Sequence, residues 1–261
     1  MRGPYTRRFA RCQDPRMRRL ALAVVVAALA AAAPARAGDA VRPAEATGPL
    51  GSERLSNERT VTRWAHARST EPIRVRASRS AASLARLRRW TEDGYPEVYL
   101  ALRSYVRADG ETWVRVRVPM RPNGRRGWVP RAALGRLRVV TTQLVVRRRA
   151  LKATLRGGGR VVWRARVGVG APATPTPRGT FYVRELLRVP APYGIYGPYA
   201  FGTSAYSSLS DWPGGGVVGI HGTNAPSLIP GRPSHGCIRV RNARIRWLAR
   251  LMPIGTPVHV R

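Results

Sequence analysis

The chain has 261 residues, 44 % of them apolar, so it can bury a real core and a wholly unfolded polar chain is excluded. Its 47 Arg and Lys face 13 Asp and Glu, a formal net charge of +34, and Lys152 is the single lysine. Two cysteines, Cys12 and Cys237, exclude a disulfide framework. The charge admits an anionic partner: nucleic acid, membrane or an anionic polymer. The Arg residues are spread along the whole chain rather than gathered in one stripe, which favours the codon bias of a GC-rich genome as the main cause.

The N-terminus has the three parts of an export signal. Arg16, Arg18 and Arg19 precede an apolar run from Leu20 to Ala33, and Ala35-Arg36-Ala37 follows. The run is short for a membrane span. An uncleaved membrane tether is the alternative, Met17 is a possible start, and Arg7-Arg8 is a weak twin-arginine hint. Cleavage after Ala37 would remove eight basic residues and one acidic one, leaving +27. Cys12 would go with it, so Cys237 would be the only thiol. These readings place the protein in the cell envelope, secreted or membrane-tethered.

Residues 38–70, rich in Ala, Gly, Pro, Ser, Arg and Glu, read as a flexible linker. From 71 to 134 the pattern is short and β-like. Trp113-Val114-Arg115-Val116-Arg117-Val118 alternates an apolar face with an Arg face. Gly and Pro punctuation between such runs predicts a small β-barrel. The second domain is predicted over 138–261, opening with strands at Val139-Val140 and Leu144–Val146. Gly157-Gly158-Gly159 predicts a hairpin turn. Pro172, Pro175 and Pro177 predict an extended loop. Asn242 is a candidate N-cap for one short helix carrying Ile245, Leu248, Ala249 and Met252. Val258-His259-Val260 predicts the last strand. The expectation is a mainly-β chain.

The chemistry gathers in seventeen residues. His221-Gly222-Thr223 opens the stretch, a Pro/Gly loop follows, and Ser234-His235-Gly236-Cys237-Ile238-Arg239 closes it. A thiol is nucleophilic as thiolate, and its ordinary pKa is about 8.5. A neighbouring imidazole can take that proton and form an ion pair. The same imidazole can later protonate a leaving amine. Glycine beside the nucleophile lets backbone N–H groups approach an oxyanion. The competing readings are an inert core thiol and a three-ligand zinc site of His221, His235 and Cys237.

Two resemblances follow from these residues. Gly110–Val116 with Asn123–Pro130 resembles bacterial SH3-like domains, which bind cell-wall peptides or act as spacers. The stretch from His221 to Arg239 resembles the signature of L,D-transpeptidases with a YkuD-type catalytic domain. Thr174–Phe181 is similar to that family's proline loop, and Gly255–Val258 to its closing strand. The resemblance spans 138–261 and implies a β-sandwich with the cysteine in a cleft. It implies Cys237 as nucleophile, His221 as proton acceptor and donor, and His235 as a second site histidine. Which histidine is the base stays open, with His221 preferred. No acid sits near His221 in the sequence, so a backbone carbonyl would orient it. Gly236 and Cys237 N–H groups would line the oxyanion hole. Gly222, Thr223, Ser234, Arg239, Asn242 and Tyr206 would bind substrate or hold the loop. The aromatic segment Ala191–Trp212 is either a substrate lid or a packed loop. The implied reaction joins peptidoglycan peptide stems without metal or organic cofactor, with an L,D-carboxypeptidase or an inactive wall-binding protein as alternatives. Carbapenem-type β-lactams would be covalent inhibitors, anionic wall polymers are possible partners, and nucleic acid is disfavoured.

Overall fold

The computed structural model describes residues 51–211 and 213–261. The export signal and residues 38–50 of the expected linker lie outside the described residues. Two β-sheets and one short α-helix make up the fold.

The first sheet holds β1 (Ser52–Arg54), β2 (Thr62–His66), β3 (Pro72–Arg74), β4 (Ser83–Arg86), β5 (Val98–Val106), β6 (Thr112–Arg117), β7 (Arg126–Pro130) and β8 (Arg138–Val140). Its order is β4-β3-β7-β6-β5-β2-β8, with β1 on β5, and every pairing is antiparallel. Three expectations are corrected here. Residues 52–66 are not linker: β1 and β2 are sheet strands, and Trp64 of β2 is buried. Val139-Val140 closes this sheet by pairing with β2 and does not open the second domain. In β6, Trp113, Val114 and Val116 are all buried, and so is Arg117, which pairs with Glu58. Of the expected Arg face only Arg115 is exposed, and its neighbours Trp113 and Arg117 on that face are covered.

The second sheet holds β9 (Thr142–Arg147), β10 (Lys152–Gly157), β11 (Arg160–Gly170), β12 (Gly179–Arg188), β13 (Tyr199–Tyr206), β14 (Val217–His221), β15 (Gly231–Ser234), β16 (Ile238–Val240) and β17 (Pro257–Val260). The single α-helix among the described residues, α1 (Asn242–Leu251), follows β16. Strand order is β10-β9-β17-β12-β13-β14-β16-β11-β15, and β10 also pairs with β11, so eight strands close a hydrogen-bonded circuit. The long strands make the corners. β11 pairs with β10 through Arg166 and with β16 from Val167. β12 pairs with β17 up to Tyr182 and with β13 from Val183. Inside lie Leu144, Leu155, Trp163, Phe181, Ile220 and Ile238, with Ile245 and Leu248 of α1 against them.

A separate apolar cluster joins the sheets: Trp64, Val98, Leu100, Val140 and Tyr182. Gly255 (φ +83°) has room for no Cβ, because one would sit 2.2 Å from the Trp64 ring. Around this cluster the junction is polar. The Tyr182 hydroxyl donates to the Val98 carbonyl at 2.8 Å. Arg184 is fully buried and donates to Glu97 and Glu92, while Arg88 also donates to Glu97. Asn123 exchanges two hydrogen bonds with the Tyr206 backbone, and Arg121 donates to the carbonyls of Ser207, Leu209 and Gly215. The first sheet therefore holds the end of β13 and the loop after it.

Candidate active site

Strands β14 and β16 run parallel, with Ile220 opposite Ile238 and His221 opposite Arg239. Strand alternation sends the isoleucines into the core and turns His221 and Arg239 to the other face. Gly219 and Cys237 share that face, each two residues away. A Cβ built on Gly219 would lie 3.6 Å from His221 Cδ2 and 3.8 Å from Cys237 Sγ. Thiol and imidazole therefore flank the same glycine on one face of the sheet. The Gly219 N–H donates to Sγ at 3.3 Å.

His221 is 4 % exposed, and its Nδ1 lies 2.7 Å from the Gly222 carbonyl. A carbonyl only accepts, so the proton sits on Nδ1 and Nε2 keeps its lone pair. Burial pushes His221 down to about 4, opposed by the Gly222 carbonyl and reinforced by the Arg239 guanidinium. Burial pushes the Cys237 thiol up, against the pull of the Gly219 N–H and Arg239. Both shifts favour the uncharged forms, a thiol and a neutral imidazole.

The turn before Cys237 is held by two serines. Ser234 Oγ donates to the Cys237 carbonyl at 2.6 Å and accepts the Gly236 N–H at 3.3 Å. Ser207 Oγ donates to the His235 carbonyl at 2.9 Å. Gly236 has φ +129°, and a Cβ there would sit 3.1 Å from Ser207 Oγ, so glycine is required. The proline loop ties to the same turn: Ala171 N–H and Thr174 Oγ1 both donate to the Ser234 carbonyl.

The other expected residues divide. Asn242 is not a cap. Arg241 occupies the N-cap position without a side-chain bond, and Asn242 opens the helix proper. Its Oδ1 accepts the Thr223 N–H at 2.9 Å, tying α1 to the His221 block. Thr223 is buried, and its hydroxyl accepts the Ala225 N–H. The His235 side chain is exposed. The Gly236 N–H is occupied by Ser234, which weakens it as an oxyanion donor. Tyr206 is corrected: it is 7 % exposed, and its hydroxyl donates to Glu92 and the Pro119 carbonyl in the junction.

The aromatic segment resolves into a strand, β13, and a short overhang before it. Gly197 (φ +62°) packs so tightly that a Cβ would lie 2.6 Å from Gly222 Cα. That contact brings Tyr196 edge-on to His221, ring centroids 5.0 Å apart at 73°. Tyr193 beside it is 85 % exposed. Ser207 was passed over by sequence reasoning, while Gly219 and Tyr196 entered it only as parts of the first histidine block and of the aromatic segment. Gly219 was legible, two positions before His221 on the same strand face. Ser207 is 28 residues from its partner and left no local signal. Among the described residues no group of three His, Cys, Asp or Glu is placed to hold a metal.

Fold and site together define a mainly-β protein whose neutral cysteine–histidine pair is suited to acyl transfer. Residues 141–260 match the family model of the YkuD L,D-transpeptidase catalytic domain. Over 94 residues the chain is 40 % identical to a Bacillus licheniformis protein bearing the name L,D-transpeptidase YkuD, covering 36 % of this chain and 50 % of that one. Its Bacillus subtilis namesake is 37 % identical over 108 residues, 41 % of this chain and 58 % of that one. A crystal structure of an Enterococcus faecium L,D-transpeptidase aligns at 26 % identity over 46 % of this chain and 49 % of that one, with a TM-score of 0.38. The chain spans about half the length of the curated relatives it matches. Residues 141–260 are a YkuD-type L,D-transpeptidase catalytic domain, and a distinct N-terminal β-domain precedes it.

Proposed function

We propose that the chain is a peptidoglycan L,D-transpeptidase with Cys237 as nucleophile and His221 as base. The observation that carries this is that Sγ and the imidazole both flank Gly219 on one face, inside a domain matched by that family's model. The Gly222 carbonyl fixes the tautomer in which Nε2 can accept a proton. Cys237 Sγ attacks the carbonyl of the diamino acid in a tetrapeptide stem. Its proton passes to Nε2, the S–C bond forms, and the Cys237 N–H stabilises the oxyanion. The C–N bond to the terminal D-Ala then breaks, and His221 protonates the departing amine. An amine of a second stem attacks the thioester, the C–S bond breaks, and a proton returns through His221 to sulfur. The product is a 3-3 cross-link.

His235 shapes the turn through its backbone in this mechanism. Gly222, Thr223, Ser234 and Asn242 position the site, and Arg239 shares its face. The N-terminal β-domain is read as SH3-like and the catalytic domain as a β-sandwich, which the strand circuit supports. Action in the cell envelope rests on the export signal. No helix among the described residues is long and apolar enough to cross a membrane.

The test is incubation with a purified disaccharide-tetrapeptide, read by mass spectrometry. Cross-linked dimer and free D-Ala are expected, and both should vanish in Cys237→Ala. Free tripeptide alone would make the protein an L,D-carboxypeptidase. No product, with no carbapenem adduct on Cys237, would leave a wall-binding protein.

A further inference from the structure

Between residues 141 and 261 the chain carries 18 Arg and Lys against two acids, Glu185 and Asp211. Part of this excess is gathered in one place. The outer face of β9, β10 and β11 forms a groove of about 440 Å³, whose lining includes Arg59, Arg147, Lys152, Arg156, Arg164 and Arg261 and no Asp or Glu side chain. The sheet register sharpens the pattern. Arg147 and Arg166 are the Cα partners of Lys152 on its two sides, so three like charges stand in one row across three strands. Strands lie about 4.8 Å apart, and like charges directly opposite destabilise a sheet.

None of the six groove cations has a carboxylate within ion-pair distance among the described residues. Glu58, adjacent to Arg59 in the chain, is held by Arg117. Arg156 donates only to the Gly159 carbonyl. A self-repelling row without counter-charges is relieved by an anion from outside.

We infer that this groove binds a linear, base-free, phosphate-bearing polymer. Its shape and lining select that occupant. A trough admits a chain, whereas a lipid surface is met by protruding apolar anchors, and the groove's Val145 and Val161 are only half-exposed. No aromatic side chain lines the groove, so it offers no stacking platform for bases. Five of the six cations are Arg, whose planar fork matches phosphate oxygens. The site belongs to the outer face of the strands, apart from Cys237, and does not depend on the proposed chemistry.

The experiment uses the full chain and linear inorganic polyphosphate. Because Lys152 is the only lysine, amine-reactive labelling mapped by peptide mass reports the groove directly. Polyphosphate should protect Lys152 in the unaltered protein. Replacing Arg147, Lys152 and Arg164 together by Gln should weaken polyphosphate binding at least tenfold at low salt. It should also flatten the plot of log affinity against log salt by about 2, at about 0.7 per lost phosphate contact. Replacing Arg244, Arg246 and Arg250 of α1 by Gln removes the same charge elsewhere and should cost less than threefold. Equal losses in the two triple variants, or unprotected Lys152 at saturation, would overturn the inference in favour of diffuse charge. Tighter binding to oligo-dT at equal phosphate, or to phosphatidylglycerol vesicles, would assign the groove to nucleic acid or membrane instead. Far-UV circular dichroism and the thermal midpoint of each variant confirm that the fold is retained.

Discussion

The junction and the active site adjoin at Ser207, whose carbonyl is held by Arg121 and whose hydroxyl holds the turn before Cys237, yet they are built from opposite materials. The junction is ionic: Arg184, buried in the catalytic domain, takes its carboxylates from Glu92 and Glu97 of the first domain. All nine ion pairs among the described residues draw their carboxylates from that first domain. At the active site there is no carboxylate in contact with either reacting group. A backbone carbonyl orients His221, a backbone N–H meets the thiol, and serine hydroxyls shape the turn. The contrast is that buried charge fixes position at the junction, while neutral dipoles surround the thiol and the imidazole. An ion pair at the site would stabilise the resting state and oppose the transfer that the reaction needs.

The largest expected effect is on the neutral side. His221→Ala should slow carbapenem acylation of Cys237 by about 10²–10⁴. Far-UV circular dichroism should be unchanged, since the imidazole is not part of the apolar core. If His235→Ala produces that loss and His221→Ala does not, His235 is the base.

The ionic side is broken by Arg184→Ala. It leaves Glu97 buried without its closest partner, which typically costs about 3–5 kcal/mol. For a domain of this size that lowers the thermal midpoint by roughly 10 °C. Acylation at 20 °C should change far less than in His221→Ala. A large loss of acylation without loss of stability would mean that junction and site are coupled and the contrast is false.

The smallest effect is the most discriminating. As pH falls, His221 loses its lone pair only when it takes a proton, and its pKa is pushed down to about 4. The second-order acylation rate reports the free enzyme, so it should change less than about twofold from pH 7 to 5.5. It should fall by half only near 4. A half-maximal point near 6.5 would mean that the imidazole is solvated and the site is not neutral by construction.

The site was more legible in the sequence than the domain boundary was. Cys237, His235 and Ser234 are local neighbours, and the alternation Gly219, His221 and Cys237, Arg239 is written in two strands. The tautomer followed from the lack of any nearby acid. The direction of the two pKa shifts was not legible, because burial, which dominates both, is a property of the assembled sheets. The linker expectation failed at Trp64 because β2 is only five residues long and is confirmed as a strand by β5 and β8, each distant in the chain. Tyr206 was misread for the same reason: its partners Glu92 and Pro119 lie in the other domain. Arg184 gives no local hint of its pairing, since Glu97 is 87 residues away.

The raised pKa of Cys237 has a bearing on chemical durability. Peroxide attacks thiolates far faster than thiols, and the first product, a sulfenic acid, is rescued when a second thiol condenses with it. No second cysteine stands among the described residues to do so. Burial that keeps the sulfur protonated also keeps it on the lowest rung of the oxidation ladder.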